Sequence, residues 1–114
     1  MNKDEKKLNI KKTLDLAIEN HQKNNFKTAE QLYKRIIEFD PEHVESIFFL
    51  GSLSIQTKNF DRAQHLLNKV IKIDPNHAKA HNNLGTIFQE LKKYQEAINC
   101  YEKAIKINSE LPDT

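Results

Sequence analysis

The sequence predicts an all-α fold, a solenoid of three tandem antiparallel helix pairs, and three observations predict it. The first is a self-similarity of period 34: Leu84 and Gly85 fall on Leu50 and Gly51, then on Leu16 and Ala17. Ala97 likewise falls on Ala63 and Ala29, Tyr94 on Phe60 and Phe26, and Ile105-Lys106-Ile107-Asn108 on Ile71-Lys72-Ile73-Asp74 and Ile37-Glu38-Phe39-Asp40. A repeat of this length is one helix-turn-helix unit that cannot bury its apolar face alone and stacks on its neighbours. The second observation is that apolar residues within each copy recur at three and four, the period of a helix and not of a strand. The third is composition: two glycines and three prolines leave little for the turns a sheet needs, and Lys, Glu, Gln, Leu, Ile and Ala favour or tolerate helix.

The elements follow in order. Residues 1–9 are a charged lead-in or an extension of the first helix, which the pattern Leu8, Leu14, Leu16, Ala17, Ile18 places at about 7–23. Asn24-Asn25 ends it, because asparagine competes with the helix through its own backbone bonds. The second helix spans about 26–39, with Phe26, Ala29, Leu32, Tyr33, Ile36 and Ile37 at helical spacing. Asp40-Pro41 stops it, since proline pushes the residue before it out of helical geometry and suits the start of the next helix. The third helix, about 43–57, turns at Lys58-Asn59 into the fourth, about 60–73, which stops at Asp74-Pro75. The fifth is placed at about 77–91 and the sixth at about 94–107. Asn108-Ser109 lacks the proline of the earlier copies, so that boundary is the weakest.

Gly51 and Gly85 both lie mid-helix, where glycine costs about 1 kcal/mol against alanine. A close helix crossing at each explains the cost, with Ala63 and Ala97 expected as the matching small positions on the partner helix and Leu50 and Leu84 beside the crossing.

The pattern of small residue, aromatic, alanine and proline resembles the tetratricopeptide repeat. The match covers residues 10–111 as three repeats, 10–43, 44–77 and 78–111, leaving 112–114 as a tail. Leu84, Gly85, Phe88, Ala97, Tyr101 and Ala104 stand at the signature positions of the third repeat. Leu50, Gly51, Ala63, Leu67, Val70 and Pro75 do so in the second, and Leu16, Ala17, Ala29, Tyr33, Ile36 and Pro41 in the first. Departures fall at Thr13, Ile47 and His81, where a large aromatic is expected, and at Asn20 and Ser54, where the third repeat has Phe88. The run Lys79-Ala80-His81-Asn82-Asn83-Leu84-Gly85 is also similar to repeats of O-linked N-acetylglucosamine transferases and related bacterial proteins, where they precede a catalytic domain that these 114 residues do not contain.

The resemblance implies a right-handed superhelical stack whose concave groove, lined by the first helix of each pair, receives a peptide or a partner helix. In this register the groove positions are Lys11, Leu14, Asp15, Ile18 and Gln22, then Glu45, Phe48, Phe49, Ser52 and Gln56, then Lys79, Asn82, Asn83, Thr86 and Glu90. The expected partner-binding set is Phe48, Phe49, Ser52, Gln56, Lys79, Asn82, Asn83, Thr86 and Glu90. Phe48 and Phe49 point about 100° apart on a helix, so one belongs near the groove, either as an aromatic anchor or packed between helices. Asn83 is the better candidate for contact with a peptide backbone, and Asn82 reads as solvent-exposed. Some family members clamp a terminal carboxylate with Lys and Asn; of Leu14, Ile18, Phe49, Lys79 and Asn83 at the corresponding positions only Lys79 matches, which argues against a chaperone-tail receptor.

No catalytic constellation emerges. His77 and His81 are four apart, but a zinc site needs further ligands, and no CxxC or HExxH accompanies them. Cys100 has no adjacent histidine to activate it, and neither glycine lies in a phosphate-cradling loop. Lys3, Lys6, Lys7, Lys11 and Lys12 form a basic run diluted by Asp4 and Glu5, and the net charge of +2 argues for neither nucleic acid nor a membrane surface. One cysteine excludes an internal disulfide and suits the cytoplasm; no membrane span or secretory signal is expected. The sequence thus predicts a non-enzymatic scaffold for a protein or peptide partner, without cofactor or metal. The alternatives are a substrate-recruiting module of a larger enzyme, such as a glycosyltransferase, and a homo-oligomer formed through the last helix pair, whose outer face carries Ile98, Tyr101 and Ile105.

Overall fold

The computed structural model describes the backbone of residues 3–110 and the side chains of residues 9–110. Among these the chain forms six α-helices and no strand: α1 Lys3–Gln22, α2 Phe26–Phe39, α3 Val44–Gln56, α4 Phe60–Ile73, α5 Ala78–Glu90 and α6 Tyr94–Glu110. Helices pair as α1 with α2, α3 with α4 and α5 with α6, and α2 on α3 and α4 on α5 join the pairs. This is an all-α helical-repeat solenoid, 48 × 33 × 22 Å along its principal axes.

Four helices match their expected bounds to within a residue, and the outer two are longer. α1 begins at Lys3, not near residue 7, so 3–9 extend the first helix. No glycine or proline interrupts that stretch, and acidic residues early in it suit the positive end of the helix dipole. α6 runs on to Glu110 because Ser109 stands where the earlier copies have proline. Residues 1–2 and the tail 112–114 lie outside the described residues, as do the side chains of Lys3, Lys6 and Lys7.

Each pair turns on a residue in the left-handed region: Asn24 at φ 63°, Lys58 at φ 63° and Lys92 at φ 62°. The turns share one hydrogen-bond pattern. The Lys58 amide donates to the Ile55 carbonyl at 3.0 Å and the Asn59 amide to the Ser54 carbonyl at 2.7 Å. Asn24 and Asn25, then Lys92 and Lys93, repeat it. This satisfies the last carbonyls of the helix and reverses the chain tightly. Between pairs, the carboxylates of Asp40 and Asp74 accept from the amides of Glu42 and Asn76, each at 3.2 Å. His43 and His77 then cap α3 and α5: Nδ1 accepts from the Ser46 amide at 3.3 Å and from the Ala80 amide at 3.1 Å.

The glycines occupy equivalent close approaches. A Cβ on Gly51 would lie 3.1 Å from Cγ and Cδ2 of Leu67, and one on Gly85 would lie 2.7 Å from Cε1 of Tyr101. The expected partners Ala63 and Ala97 are corrected here: the nearest atoms belong to Leu67 and Tyr101, one turn further along the partner helix. Ala63 and Ala97 are nevertheless buried. Leu67 and Tyr101 are themselves 34 apart, and the first pair sets buried Ala17 and Tyr33 at the corresponding positions. The core forms two clusters, one around Tyr33, Leu50 and Leu53 and one around Ile47, Leu67 and Leu84, with Ile37 and Leu66 packed against both. Buried Ser54 donates to the Leu50 carbonyl at 2.7 Å and accepts from Nε of Arg62 at 2.8 Å. Nη1 of the same arginine pairs with Glu30 of the preceding hairpin at 2.5 Å.

Candidate functional site

The first helices of the pairs, α1, α3 and α5, lie side by side, because the second helices take the opposite side of each hairpin. Between them runs an open trough of about 500 Å³. α1 contributes Ile18, His21 and Gln22; α3 contributes Phe49, Ser52, Ile55 and Gln56; α5 contributes Asn83 and Thr86; Asn24 stands at the edge. These residues fall into columns spaced by 34, such as Ile18, Ser52 and Thr86, so the repeat that builds the core also builds the trough.

Its wall is both aromatic and hydrogen-bonded. Phe49 stacks on Tyr33 with ring centroids 6.0 Å apart and planes 11° apart. His21 joins the first two pairs: Nε2 bonds Oε1 of Gln56, and Nδ1 lies 2.9 Å from the Tyr33 hydroxyl. The amide oxygen only accepts, so Nε2 carries the proton and Nδ1 accepts from tyrosine. Burial pushes the Tyr33 hydroxyl up to about 12, so it remains a donor across the physiological range. On the next step, Nδ2 of Asn83 donates to the Ser52 hydroxyl at 3.0 Å. None of the ten lining residues is Asp, Glu, Lys or Arg, in a chain that is 30% charged.

Of the nine residues expected to bind a partner, the structure gathers Phe49, Ser52, Gln56, Asn83 and Thr86 in this trough. Phe48 points away and packs on His77, ring centroids 4.8 Å apart, against the second core cluster. Lys79 and Asn82 line a separate hollow of about 480 Å³ toward Tyr101 and Ile105 of α6. Glu90 is exposed at the end of α5, outside the trough lining. Among the α1 positions, Ile18 and Gln22 line the trough and Leu14 is buried in the first core cluster. His21, Ile55 and Asn24 were not anticipated. His21 and Ile55 form a column one turn beyond Ile18 and Ser52, so extending the register by three would have found them.

The chemistry-bearing residues elsewhere have structural tasks. His77 caps α5, and Nε2 of His81 donates to the Pro75 carbonyl at 3.0 Å. Among the described residues no group of three or more His, Cys, Asp or Glu is placed to hold a metal ion. Burial, with the Glu96 carboxylate beside it, pushes the Cys100 thiol up and away from the nucleophilic thiolate. No helix among the described residues is long and apolar enough to cross a membrane.

Residues 22–104 match the family described as anaphase-promoting complex, cyclosome, subunit 3, whose units are tetratricopeptide-like. The chain belongs to this family. No curated protein sequence matches it. Among solved structures, a mutant O-GlcNAc transferase of Thermobaculum terrenum superposes with a TM-score of 0.88 at 24% identity, over 96% of this chain and 21% of that one. MamA gives 0.82 at 19% identity, over 88% of this chain and 58% of that one. The second TPR domain of Spaghetti (RPAP3), bound to an HSP90 peptide, gives 0.81 at 18% identity, over 86% and 91%. These likenesses establish the tetratricopeptide fold.

Proposed function

We propose that the protein is a non-catalytic scaffold that holds an extended, uncharged segment of a partner protein in the trough of α1, α3 and α5. The observation that carries this reading is the lining: the flat Phe49 ring, four side-chain amides (Gln22, Asn24, Gln56, Asn83) and two hydroxyls, with no Asp, Glu, Lys or Arg. Oδ1 of Asn83 and the amide group of Gln56 beyond its bond to His21 supply an acceptor and a donor for a peptide unit. An acidic ligand would find no cation among the lining residues, and Lys79, the one residue matching a carboxylate clamp, lies outside the trough. The Spaghetti domain in complex with an HSP90 peptide supports peptide capture by this fold and not that ligand. A cytoplasmic setting belongs to the same reading, with Cys100 a lone thiol.

The test is affinity capture from native lysate with mass spectrometry, the Phe49→Ala/Asn83→Ala double variant serving as control. Specific partners should be lost with the double variant while its circular dichroism is unchanged, and capture should survive 0.5 M salt, roughly where charge screening is short-ranged. Undiminished capture by the double variant places the site elsewhere; capture abolished by salt refutes the uncharged ligand. A second reading, a repeat module that recruits substrate to a larger enzyme, is favoured by the transferase superposition over 96% of this chain. A native protein much heavier than 13.4 kDa carrying this sequence would select it.

A further inference from the structure

Antiparallel pairing gives the solenoid two long edges of different character. At one edge the first helices end and the second helices begin, and the three hairpin turns stand there in a row: Asn24-Asn25, Lys58-Asn59 and Lys92-Lys93. The linkers at Asp40-Pro41 and Asp74-Pro75, the start of α1 and the end of α6 all lie at the other edge. α2 and α4 cross from the first edge to the second in 14 residues each, about 21 Å.

The turn edge breaks a local rule twice. Its left-handed backbone is adopted most cheaply by glycine and is tolerated by asparagine, as at Asn24. The chain instead sets lysine in it, with φ 63° at Lys58 and φ 62° at Lys92. Neither side chain serves the frame. Both are exposed, as are Lys27 and Lys93 beside them, and among the described residues none of the four has an ion-pair partner. Strained backbone whose side chain makes no contact in the fold marks a position that answers to something outside it.

We propose that the turn edge binds an extended acidic segment of a partner protein. Neighbouring tips are one helix spacing apart, about 10 Å, and an extended chain rises about 3.3 Å per residue. Carboxylates three residues apart therefore meet Lys58 and Lys92-Lys93 in turn. A nucleic-acid strand fits less well: its charge is continuous, about one per 3.4 Å, and it would run over Asp61, Glu90 and Glu96, which stand exposed within a turn of the tips. The described chain enters and leaves at the other edge, so a separate protein reaches the turns without competing with it.

The test uses the full chain and a fluorescein-labelled peptide, Glu-Ser-Ser-Glu-Ser-Ser-Glu, with glutamine in place of glutamate as the control. Anisotropy is read in about 0.1 M salt, where screening confines charge effects to about 10 Å. The acidic peptide should bind and the control should not. Lys58→Gly/Lys92→Gly should weaken binding about tenfold or more while melting no lower than the parent, because it removes the charge and relieves the backbone together. Arg35→Gln/Lys69→Gln takes two charges from the outer side of α2 and α4 and should change binding by less than about twofold. No binding of the acidic peptide, equal binding of the control, or an equal loss in both double variants overturns the proposal. So does a double-glycine variant that binds as the parent does. One that melts lower overturns it by giving the lysines to the frame. Tighter binding of oligouridylate or of phosphatidylserine vesicles than of the peptide overturns it by giving the edge to nucleic acid or to a lipid surface.

Discussion

Replacing Gly85 by alanine tests the packing argument at its tightest point. The new methyl would lie 2.7, 2.8 and 2.9 Å from Cε1, Cδ1 and Cζ of Tyr101. Carbon atoms rest at about 3.5–4.0 Å, so the overlap approaches 1 Å and falls on one edge of a rigid ring. The ring must move as a body, and its hydroxyl, which donates to Oε1 of Gln89 at 2.9 Å, moves with it. Overpacking costs about 1–3 kcal/mol, the lost hydrogen bond about 0.5–1.5 kcal/mol, and removing a helical glycine returns about 1 kcal/mol. The net is a destabilisation of about 0.5–3.5 kcal/mol. At Gly51 the neighbour is the Leu67 side chain at 3.1 Å, a smaller overlap with a branched aliphatic chain, so Gly51→Ala should be near neutral. Urea unfolding followed by circular dichroism measures both. The cause is isolated by Tyr101→Leu, which installs the residue found at position 67: in that background Gly85→Ala should lose most of its cost. If Gly85→Ala is no worse than Gly51→Ala, or if Tyr101→Leu leaves its cost unchanged, the close approach does not govern the crossing.

Two further predictions concern the frame. Arg62 links three helices through Glu30 and Ser54, so Arg62→Ala should destabilise by about 1–2 kcal/mol at neutral pH. Burial raises the Glu30 carboxyl, but Arg62 and Lys34 together outweigh it and hold it below its ordinary value of 4.5. The folded state therefore binds that proton less readily than the unfolded one. The stabilisation is present above about pH 4.5 and lost as pH falls through the folded value. The gap between wild type and Arg62→Ala should narrow in acid, and a gap unchanged from neutral pH to pH 3 would contradict the assignment. Lys58 and Lys92 hold left-handed backbone at a cost of about 1–2 kcal/mol. Lys58→Gly and Lys92→Gly should each stabilise by about 0.5–1 kcal/mol after the added unfolded-state entropy. Asn24→Gly should gain less, since asparagine tolerates this region; a loss of stability in the lysine variants, read by thermal melting, would refute the turn geometry.

The periodic part of the molecule was legible because each repeat solves the same packing problem. Proline after Asp40 and Asp74, and glycine at 51 and 85, mark boundaries and crossings that recur on a fixed interval. What failed lay where the interval gives no second example or where side-chain direction decides. α6 outran its expected end because the proline that stops α2 and α4 is missing. Matching small with small points from Gly51 to Ala63, although a glycine equally makes room for a large neighbour, here Leu67. His21 carries no repeat signal in the sequence, because Ile55 and Gln89 share its column but not its chemistry.

The same reasoning explains why a groove is harder to read than a core. Core positions are constrained by two neighbours and so repeat in kind: Leu50 and Leu84, or Ala29, Ala63 and Ala97. Trough positions face solvent, and each column changes character along the stack: Phe49 and Asn83 in one, Ile18, Ser52 and Thr86 in the next. On the proposed reading, that variation would let a fixed frame recognise a particular segment, because an extended chain crossing the helices would meet a different side chain at each step. The adjacent positions Phe48 and Phe49 separate these demands. One helix step apart, the first ring closes on His77 in the frame and the second stacks on Tyr33 and lines the trough. Phe48→Ala should therefore act through stability and Phe49→Ala through capture. If the two variants lose stability and partners in the same proportion, the division between frame and surface drawn from their ring contacts is wrong.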